Sequence, residues 1–318
     1  MVGSTYAGVS TAGAVVALPQ AILDVYSLDI EHAALPIMRY EEFAVKKTEL
    51  GVEPGQNVIF TQYADIDGGG ELQEDKDMTE QHLAASRYSI TVTEFGNAIG
   101  IREKLLQLAR DDQLEEAATL LGRNYAKILD RTLRDVVDSG TNLIYAGERA
   151  LRNLLTVDDL FDVPLIRRAV EILQTNDAPK FNADFYVCFC HPHQASGLSK
   201  DPEWVAANSY ANTRALFNGE LGRWQDVVFI STNNQRNGAA AAASVGYDAT
   251  MVGASSDAKD VYRCAFLGEG GYGHATALPV QLRDNGVMDY GRKHGLAWYT
   301  IMGAGMLHDE CVVLGETT

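Results

Sequence analysis

From Gln113 onward the apolar residues return every three or four positions: Leu114, Ala117 and Ala118, Leu121, Tyr125, Ile128 and Leu129, Leu133, Val136 and Val137. That spacing lays one apolar stripe along a helix. Glu115, Arg123, Lys127, Asp130, Arg131, Arg134 and Asp135 are then expected on the opposite face. Asp130 stands four residues before Arg134, the separation of a supporting ion pair, and Gly140 supplies a stop signal. A helix of about 26 residues would run on the order of 40 Å, where three turns are usual. The stretch reads either as a core helix of an α/β enzyme or as the spine of a flat, extended subunit.

Upstream, Glu31–Val45 has helical spacing through Leu35, Met38, Phe43 and Val45. Between Gln56 and Ile101 the period falls to two, and Asn57–Tyr63 and Arg87–Thr93 read as strands. They flank Asp65–Glu80, which holds Gly68–Gly70 and seven carboxylates against the single Lys76. Nothing in that excursion can form a core. Connections of this length are usually functional or disordered, so it reads as a surface loop or as a β-arm reaching another subunit. Residues 1–35 are small and weakly patterned, an arm ordered by its neighbours.

Downstream the pattern is α/β. Thr156-x-x-Asp159 has capping-box spacing, and Pro164 suits the first turn of a helix with Leu165, Ile166, Ala169, Val170 and Leu173 as its apolar face. Asn176–Pro179 ends it. Asp184–Cys190 reads as a buried strand, followed by His191-Pro192 and a short helix, and Trp204–Tyr210 as a further helix. Asp226–Ile230 and Val261–Leu267 are strand-like, and Ala239–Ala243 is a low-complexity surface turn. Two apolar runs around Asp309-Glu310, within Gly295–Leu314, read as closing strands.

Composition narrows the function. The 318 residues are 46% hydrophobic and 22% charged, as in a soluble folded chain. The net charge of −17, with no basic run, disfavours duplex binding, which depends on Lys and Arg neutralising phosphates. Four cysteines in a chain this long are not a disulfide framework. No Lys or Arg precedes Arg39, as a secretory signal would require, and the apolar patch Ala12–Leu18 is too short to span a bilayer. Synthesis in a cytoplasm, with no membrane partner, is expected.

Candidate chemistry is sparse. In Cys188-x-Cys190-His191-x-His193 the two thiols share one strand face and His191 the other, with no second pair at zinc spacing. Buried thiols beside a helix start are expected there. Gly268-x-Gly270-x-x-Gly273 matches the dinucleotide fingerprint as a string, but Pro279 follows and no helical pattern opens; a glycine turn is the better reading. Asp111-Asp112 and Asp158-Asp159 precede helical patterns, and Glu115-Glu116 opens one, where carboxylates suit the helix dipole. Phosphate-loop, nucleophile-elbow and H-E-x-x-H strings are lacking, and the seven histidines are scattered. No catalytic, cofactor-binding or metal residues are expected.

Several stretches, taken in order, carry a resemblance: AATLLGRNYAKILDRTLRDVVDSGTNLIYAG (Ala117–Gly147), LTVDDL with AVEIL and NDAPK, CHPH with DPEWVAANSYAN, FNGELGRWQDVVFISTNN, and LAWYTIMGAGMLHDECVVL. Most distinctive are Asp130–Tyr145, His191-Pro192 with Asp201-Pro202-Glu203-Trp204, and Phe217–Gly222. From about Lys46 to the C-terminus the chain resembles the major capsid proteins of tailed bacteriophages, in the branch typified by the enquatro podovirus coat protein. The resemblance implies an α+β, Hong Kong phage-type capsid fold. It divides the chain into an N-terminal arm (1–45), an extended β-loop with its flanks (46–112), the spine helix of a peripheral domain (113–150), a mainly axial domain (151–273) and return strands of the peripheral domain (274–318).

The implied function is structural: self-assembly as hexamers and pentamers into an icosahedral head enclosing phage double-stranded DNA. The implied location is the virion capsid after synthesis in the host bacterial cytoplasm. Implied partners are further copies, a separate scaffolding protein, a portal and a decoration protein, with no cofactor and no sequence-specific nucleic acid binding. An acidic wall would let packaged DNA slide. Inter-subunit contact candidates are Asp67, Gly69, Glu71, Glu74 and Asp77 in the extended loop, and Asn212, Asn218 and Glu220 in axial loops near the capsomer centre. An encapsulin-type compartment shell, or a soluble α/β enzyme with a discrete pocket, are the alternatives.

Overall fold

The computed structural model describes residues 38–47, 57–63, 80, 82, 85–104, 113–204, 220–238, 246–251, 260–290 and 292–318. The helix expected over Glu31–Val45 is, in its described part, a single 3-10 turn at Tyr40–Phe43. Ala44 is already extended, and Val45 opens strand β1 (Val45–Lys47). Pairing with a distant strand overrides local propensity there. β2 (Asn57–Tyr63) and β3 (Ala85–Thr91) form an antiparallel ribbon in register from Asn57↔Thr91 to Tyr63↔Ala85. The strand expected over Arg87–Thr93 is divided. β3 ends at Thr91 and β4 starts at Thr93, running to Arg102, because β3 pairs with β2 and β4 with residues 293–302; Val92 between them is buried with Ala275 and Leu307.

The spine is α1 (Gln113–Val137), 25 residues long. At its end Ser139 and Gly140 donate to the carbonyls of Val136 and Val137, the tightened closing turn that uses up terminal acceptors. β5 (Leu143–Tyr145) follows. α2 (Val163–Thr175) is capped by Asp162, whose carboxylate accepts the Leu165 N–H at 3.1 Å. The expected Thr156–Asp159 capping box belongs to a turn instead: the Thr156 N–H and Oγ1 donate to Asp159 Oδ2 at 2.6 and 2.9 Å, and no helix follows directly. Asp158-Asp159 therefore does not serve a helix N-terminus.

The chain continues through β6 (Tyr186–Cys190), α3 (Pro192–Leu198), β7 (Glu220–Trp224), β8 (Val227–Ser231), β9 (Tyr262–Leu267), β10 (Tyr272–Met288), β11 (Lys293–Met306) and β12 (Val312–Thr317). Among the described residues the strands form three sheets: four strands in order β1-β10-β11-β4, six in order β5-β12-β9-β6-β8-β7, and the β2–β3 ribbon. The six-stranded sheet is covered on both faces, which explains the unbroken burial of β6 and β9. Cys188, Cys190, Phe229 and Phe266 face Leu165, Ile166, Ala169 and Leu173 of α2. Val187, Phe189, Ala265 and Leu267 face Leu129, Leu133 and Val137 of α1. The N-terminal half of α1 lies on the other sheet, where Ala117 and Leu121 pack with Ile101, Leu296 and Trp298. One helix thus bridges two sheets.

β12 leaves β10 and β11 and inserts between β5 and β9. The run Gly268-x-Gly270-x-x-Gly273 joins β9 to β10; Gly270 sits at φ +82, and a strand follows. No helix N-terminus stands there to receive a pyrophosphate. Pro279 lies within a register shift of β10, between Leu278 and Gln281, where the ladder can spare an N–H.

Candidate assembly surfaces and the spine junction

Among the described residues the ribbon is seated along its inner half, where Phe60 and Tyr88 are partly buried. Val58 and Ile90 are buried with Ala275 and Leu307, whereas Ile59 and Tyr63 are 47% and 61% exposed. The close seat exists because β11 carries glycine there. A Cβ on Gly303 would stand 2.5 Å from the Thr91 carbonyl oxygen, and one on Gly305 2.8 Å from Ile90 Cγ1. Lys47 adds a tie from β1, its Nζ donating to the Ile59 carbonyl at 2.8 Å. A two-stranded ribbon is marginal in water by itself, so its outer part has surface to offer.

Asp130, expected on the solvent face in an ion pair with Arg134, is fully buried. Its Oδ1 accepts the backbone N–H groups of Arg39 and Tyr40 at 2.9 and 3.1 Å, and its Oδ2 accepts the Asn234 amide at 2.6 Å. It fastens the segment before β1 to the spine. Burial raises its pKa, opposed by those N–H donors. Arg134 turns elsewhere, donating to the Asn234 carbonyl at 2.8 Å and to Asp135 at 2.7 Å. Both residues flank the apolar stripe; the segment before β1 covers Asp130, and Asn234, in the loop after Val227–Ser231, reaches both.

Beyond them lies an ionic chain whose centre, Asp138, Arg263 and Glu316, is buried. Glu316 accepts from Arg263 Nη2 at 2.6 Å and from Arg152 Nη2 at 2.5 Å. Arg263 Nη1 stands 3.9 Å from Asp138, and Arg236 Nε 2.9 Å from it. Arg236 also reaches Asp135 and Asp248, at 3.2 and 3.1 Å. The chain couples the end of α1 to β9, β12 and the loop after β8. Asp138 is held by charge rather than by aligned hydrogen bonds, since neither carboxylate oxygen has a hydrogen-bond partner. Burial pushes its pKa up to about 6 against the opposing pull of Arg263, Arg236 and Arg134. Sequence reasoning missed this site, although a signal was present: YRCAFL and VVLGET are apolar strands carrying one opposite charge each. Their register makes Arg263 and Glu316 cross-strand partners.

Cys188 and Cys190 are buried thiols, raised in pKa first by burial. His191 caps α3, meets the Tyr262 ring at a tilt with centroids 4.9 Å apart, and is held down to about 4 by burial and then by His193. Among the described residues no group of three or more His, Cys, Asp or Glu is placed to hold a metal ion. The Asp201–Trp204 motif is structural. Asp201 accepts the Glu203 N–H at 2.9 Å, and Trp204 meets Phe229 edge-on at 5.0 Å.

Of the candidate contact residues, Asp67, Gly69, Glu71, Glu74, Asp77, Asn212 and Asn218 lie outside the described residues. Glu220 opens β7, the edge strand of the six-stranded sheet, opposite Ile230. At the outer end of the four-stranded sheet, Asp289 and Tyr290 form the β10–β11 turn, both with left-handed backbone, and Tyr290 is fully exposed. Among the described residues no helix is long and apolar enough to cross a membrane.

Residues 134–312, more than half of the chain, match the family model described as phage capsid protein. None of the curated proteins matches the chain. Among solved structures, the capsid of Ralstonia phage GP4 superposes with a TM-score of 0.73 at 17% identity, covering 96% of this chain and 98% of that one. The Cyanophage Pam1 capsid gives 0.71 at 14% identity, over 92% and 95%. The head structure of Helicobacter pylori bacteriophage KHP40 gives 0.69 at 14% identity, over 98% and 99%. At such identities the likeness is one of fold, the α+β Hong Kong phage-type capsid fold. With the family match over more than half its length, the chain belongs to the phage capsid proteins and is a tailed-phage major capsid protein, structural rather than catalytic.

Proposed function

We propose that the chain assembles, as hexamers and pentamers, into the closed icosahedral head that encloses phage double-stranded DNA. The observation that carries this reading is the β2–β3 ribbon, seated along its inner half and bare beyond it, from which the acidic excursion Asp65–Glu80 departs. Such an element gains most of its buried area from a neighbouring subunit. Heterologous contacts that close into rings supply the required symmetry.

In this reading residues 1–45 are the arm, 46–112 the extended loop and 113–150 the spine. Residues 151–273, joined by β12, form the axial unit, and the rest of 274–318 completes the peripheral sheet. Asp67, Gly69, Glu71, Glu74 and Asp77 meet a neighbour, and Asn212, Asn218 and Glu220 approach the capsomer centre. A separate scaffolding protein, a portal and a decoration protein act with it, after synthesis in the host cytoplasm. The enquatro-like branch is part of the same proposal.

The test is expression of the chain with and without Gly68–Gln81, followed by size-exclusion chromatography and negative-stain electron microscopy. The full chain is expected to give closed shells, sheets or capsomers. The shortened chain is expected to stay folded and give no closed shells; normal shells from it would refute the role of the loop.

A further inference from the structure

The sequence holds three Asn-Gly pairs: Asn218-Gly219, Asn237-Gly238 and Asn285-Gly286. Chemically they are alike. With no β-carbon on the second residue, its backbone nitrogen can approach the carbonyl carbon of the asparagine side chain and close a five-membered ring. The first pair lies outside the described residues, and the fold sets the other two in opposite environments.

Asn237-Gly238 is locked. Asn237 is fully buried, and its Nδ2 donates to the Gln235 carbonyl at 3.1 Å. The Gly238 N–H donates to the Val261 carbonyl at 2.8 Å. Neither the nitrogen nor the side-chain amide can turn toward the other without breaking a buried hydrogen bond.

Asn285-Gly286 is open. β10 meets β11 at Asp284↔Leu296 and again at Val287↔His294, so Asn285 and Gly286 together stand against Gly295. Two residues against one make a β-bulge, where the ladder is locally disrupted. Gly286 takes the left-handed conformation at φ +67, and a Cβ there would meet no atom within 4 Å. Its N–H donates to Asp284 Oδ1 at 2.7 Å. The proton that an attacking nitrogen must shed therefore already points at a carboxylate. Asn285 is exposed, and its Nδ2 rests on the Met288 sulfur at 3.2 Å, a weak acceptor.

We propose that Asn285-Gly286 is a self-modifying site on the β10–β11 hairpin, where attack of the Gly286 nitrogen on Asn285 Cγ converts the asparagine into aspartate and isoaspartate. The N–Cγ bond forms and the Cγ–Nδ2 bond breaks. The side-chain nitrogen leaves as ammonia, carrying the proton that Gly286 gave up by way of Asp284. Water then opens the cyclic imide at either carbonyl. No electron changes hands, and water is the only co-reactant. Opening at one carbonyl gives aspartate, a second carboxylate beside Asp284. Opening at the other leads the backbone through the former side chain and lengthens it by one carbon, just before the closing pairs Val287↔His294 and Met288↔Lys293. Older copies of the chain thus carry a more acidic hairpin than new ones.

The experiment ages the full folded chain in water enriched in the heavy oxygen isotope, then digests it with trypsin and reads peptide masses. Asn285 falls on the peptide Asp284–Arg292 and Asn237 on the peptide Asn237–Lys259, so each is followed separately. The first peptide is expected to gain the amide-to-acid shift with the isotope incorporated, and the second to stay unchanged. In urea both are expected to convert, which shows that the fold alone separates them. An Asp284–Arg292 peptide that converts in urea but not in the folded chain would overturn the proposal, as would equal rates at the two sites in the folded chain. Gly286→Ala, which has room for its methyl group, is expected to lose most of the shift; an unchanged rate would overturn the route through that nitrogen. Asn285→Gln, which must close a larger ring, is expected to lose it as well and serves if Gly286→Ala fails to fold. Asp284→Ala is expected to slow the conversion, and an unchanged rate would overturn the part given to Asp284.

Discussion

Replacing Asp138 by Asn is expected to stabilise the subunit at neutral pH, although the carboxylate sits among three arginines. Its pKa in the folded chain stands at about 6 against an ordinary 3.8, with burial as the largest cause. A raised acid pKa means that the folded state holds a proton that the unfolded state has released. Stability therefore falls as pH rises from 3.8 to 6 and stays lower above that window. A shift of this size corresponds to about 3 kcal/mol. Asn keeps the shape of the protonated acid and cannot ionise, so the Asp138→Asn subunit should gain up to about 3 kcal/mol at pH 7 and nothing at pH 3.5. Urea unfolding of unassembled subunits at a series of pH values reads this directly. The wild-type midpoint should drop between pH 4 and 6, and the variant should lack that component. A variant less stable than wild type at pH 7 would refute the reasoning. It would mean that Arg236 at 2.9 Å and Arg263 at 3.9 Å outweigh the loss of hydration, and that an unpaired arginine is the larger cost.

Two further outcomes test the packing. Leu133→Ala removes a fully buried side chain from the junction of α1 with the six-stranded sheet and should cost about 2–5 kcal/mol in urea unfolding. Gly303→Val places a Cβ 2.5 Å from the Thr91 carbonyl oxygen, so the base of the ribbon must move. A loss of about 1–3 kcal/mol is expected, with faster amide exchange in β3 and little change in β9.

The long helix, the ribbon strands and the α2 helix follow from residue periodicity, because each buries one face and its pattern repeats every 3.6 or 2 positions. Asn57–Tyr63 and Leu165, Ile166, Ala169, Val170 and Leu173 were legible for that reason. The order of the spine, His191-Pro192 and Asp201–Trp204 stretches carried the capsid resemblance, which the family match supports. The errors share one cause. The switch at Val92, the strand at Val45 and the burial of Asp130 were each decided by a segment far away in sequence. A charged residue on the rim of an amphipathic helix looks the same in sequence whether water or a sheet lies over it.

By itself the sequence determined the spine helix, the ribbon strands, the acidic balance and the coreless excursion between two strands, for which local patterning and composition are sufficient, while the order of several stretches carried the family resemblance. Only the tertiary structure decided that one helix bridges two sheets, that β12 inserts between β5 and β9, and that Arg263 meets Glu316 inside the protein. It also set Lys293 against Arg102. The physical reason is register. Which residues of two distant strands stand opposite one another depends on how the packed elements fit together, and no local interaction encodes it.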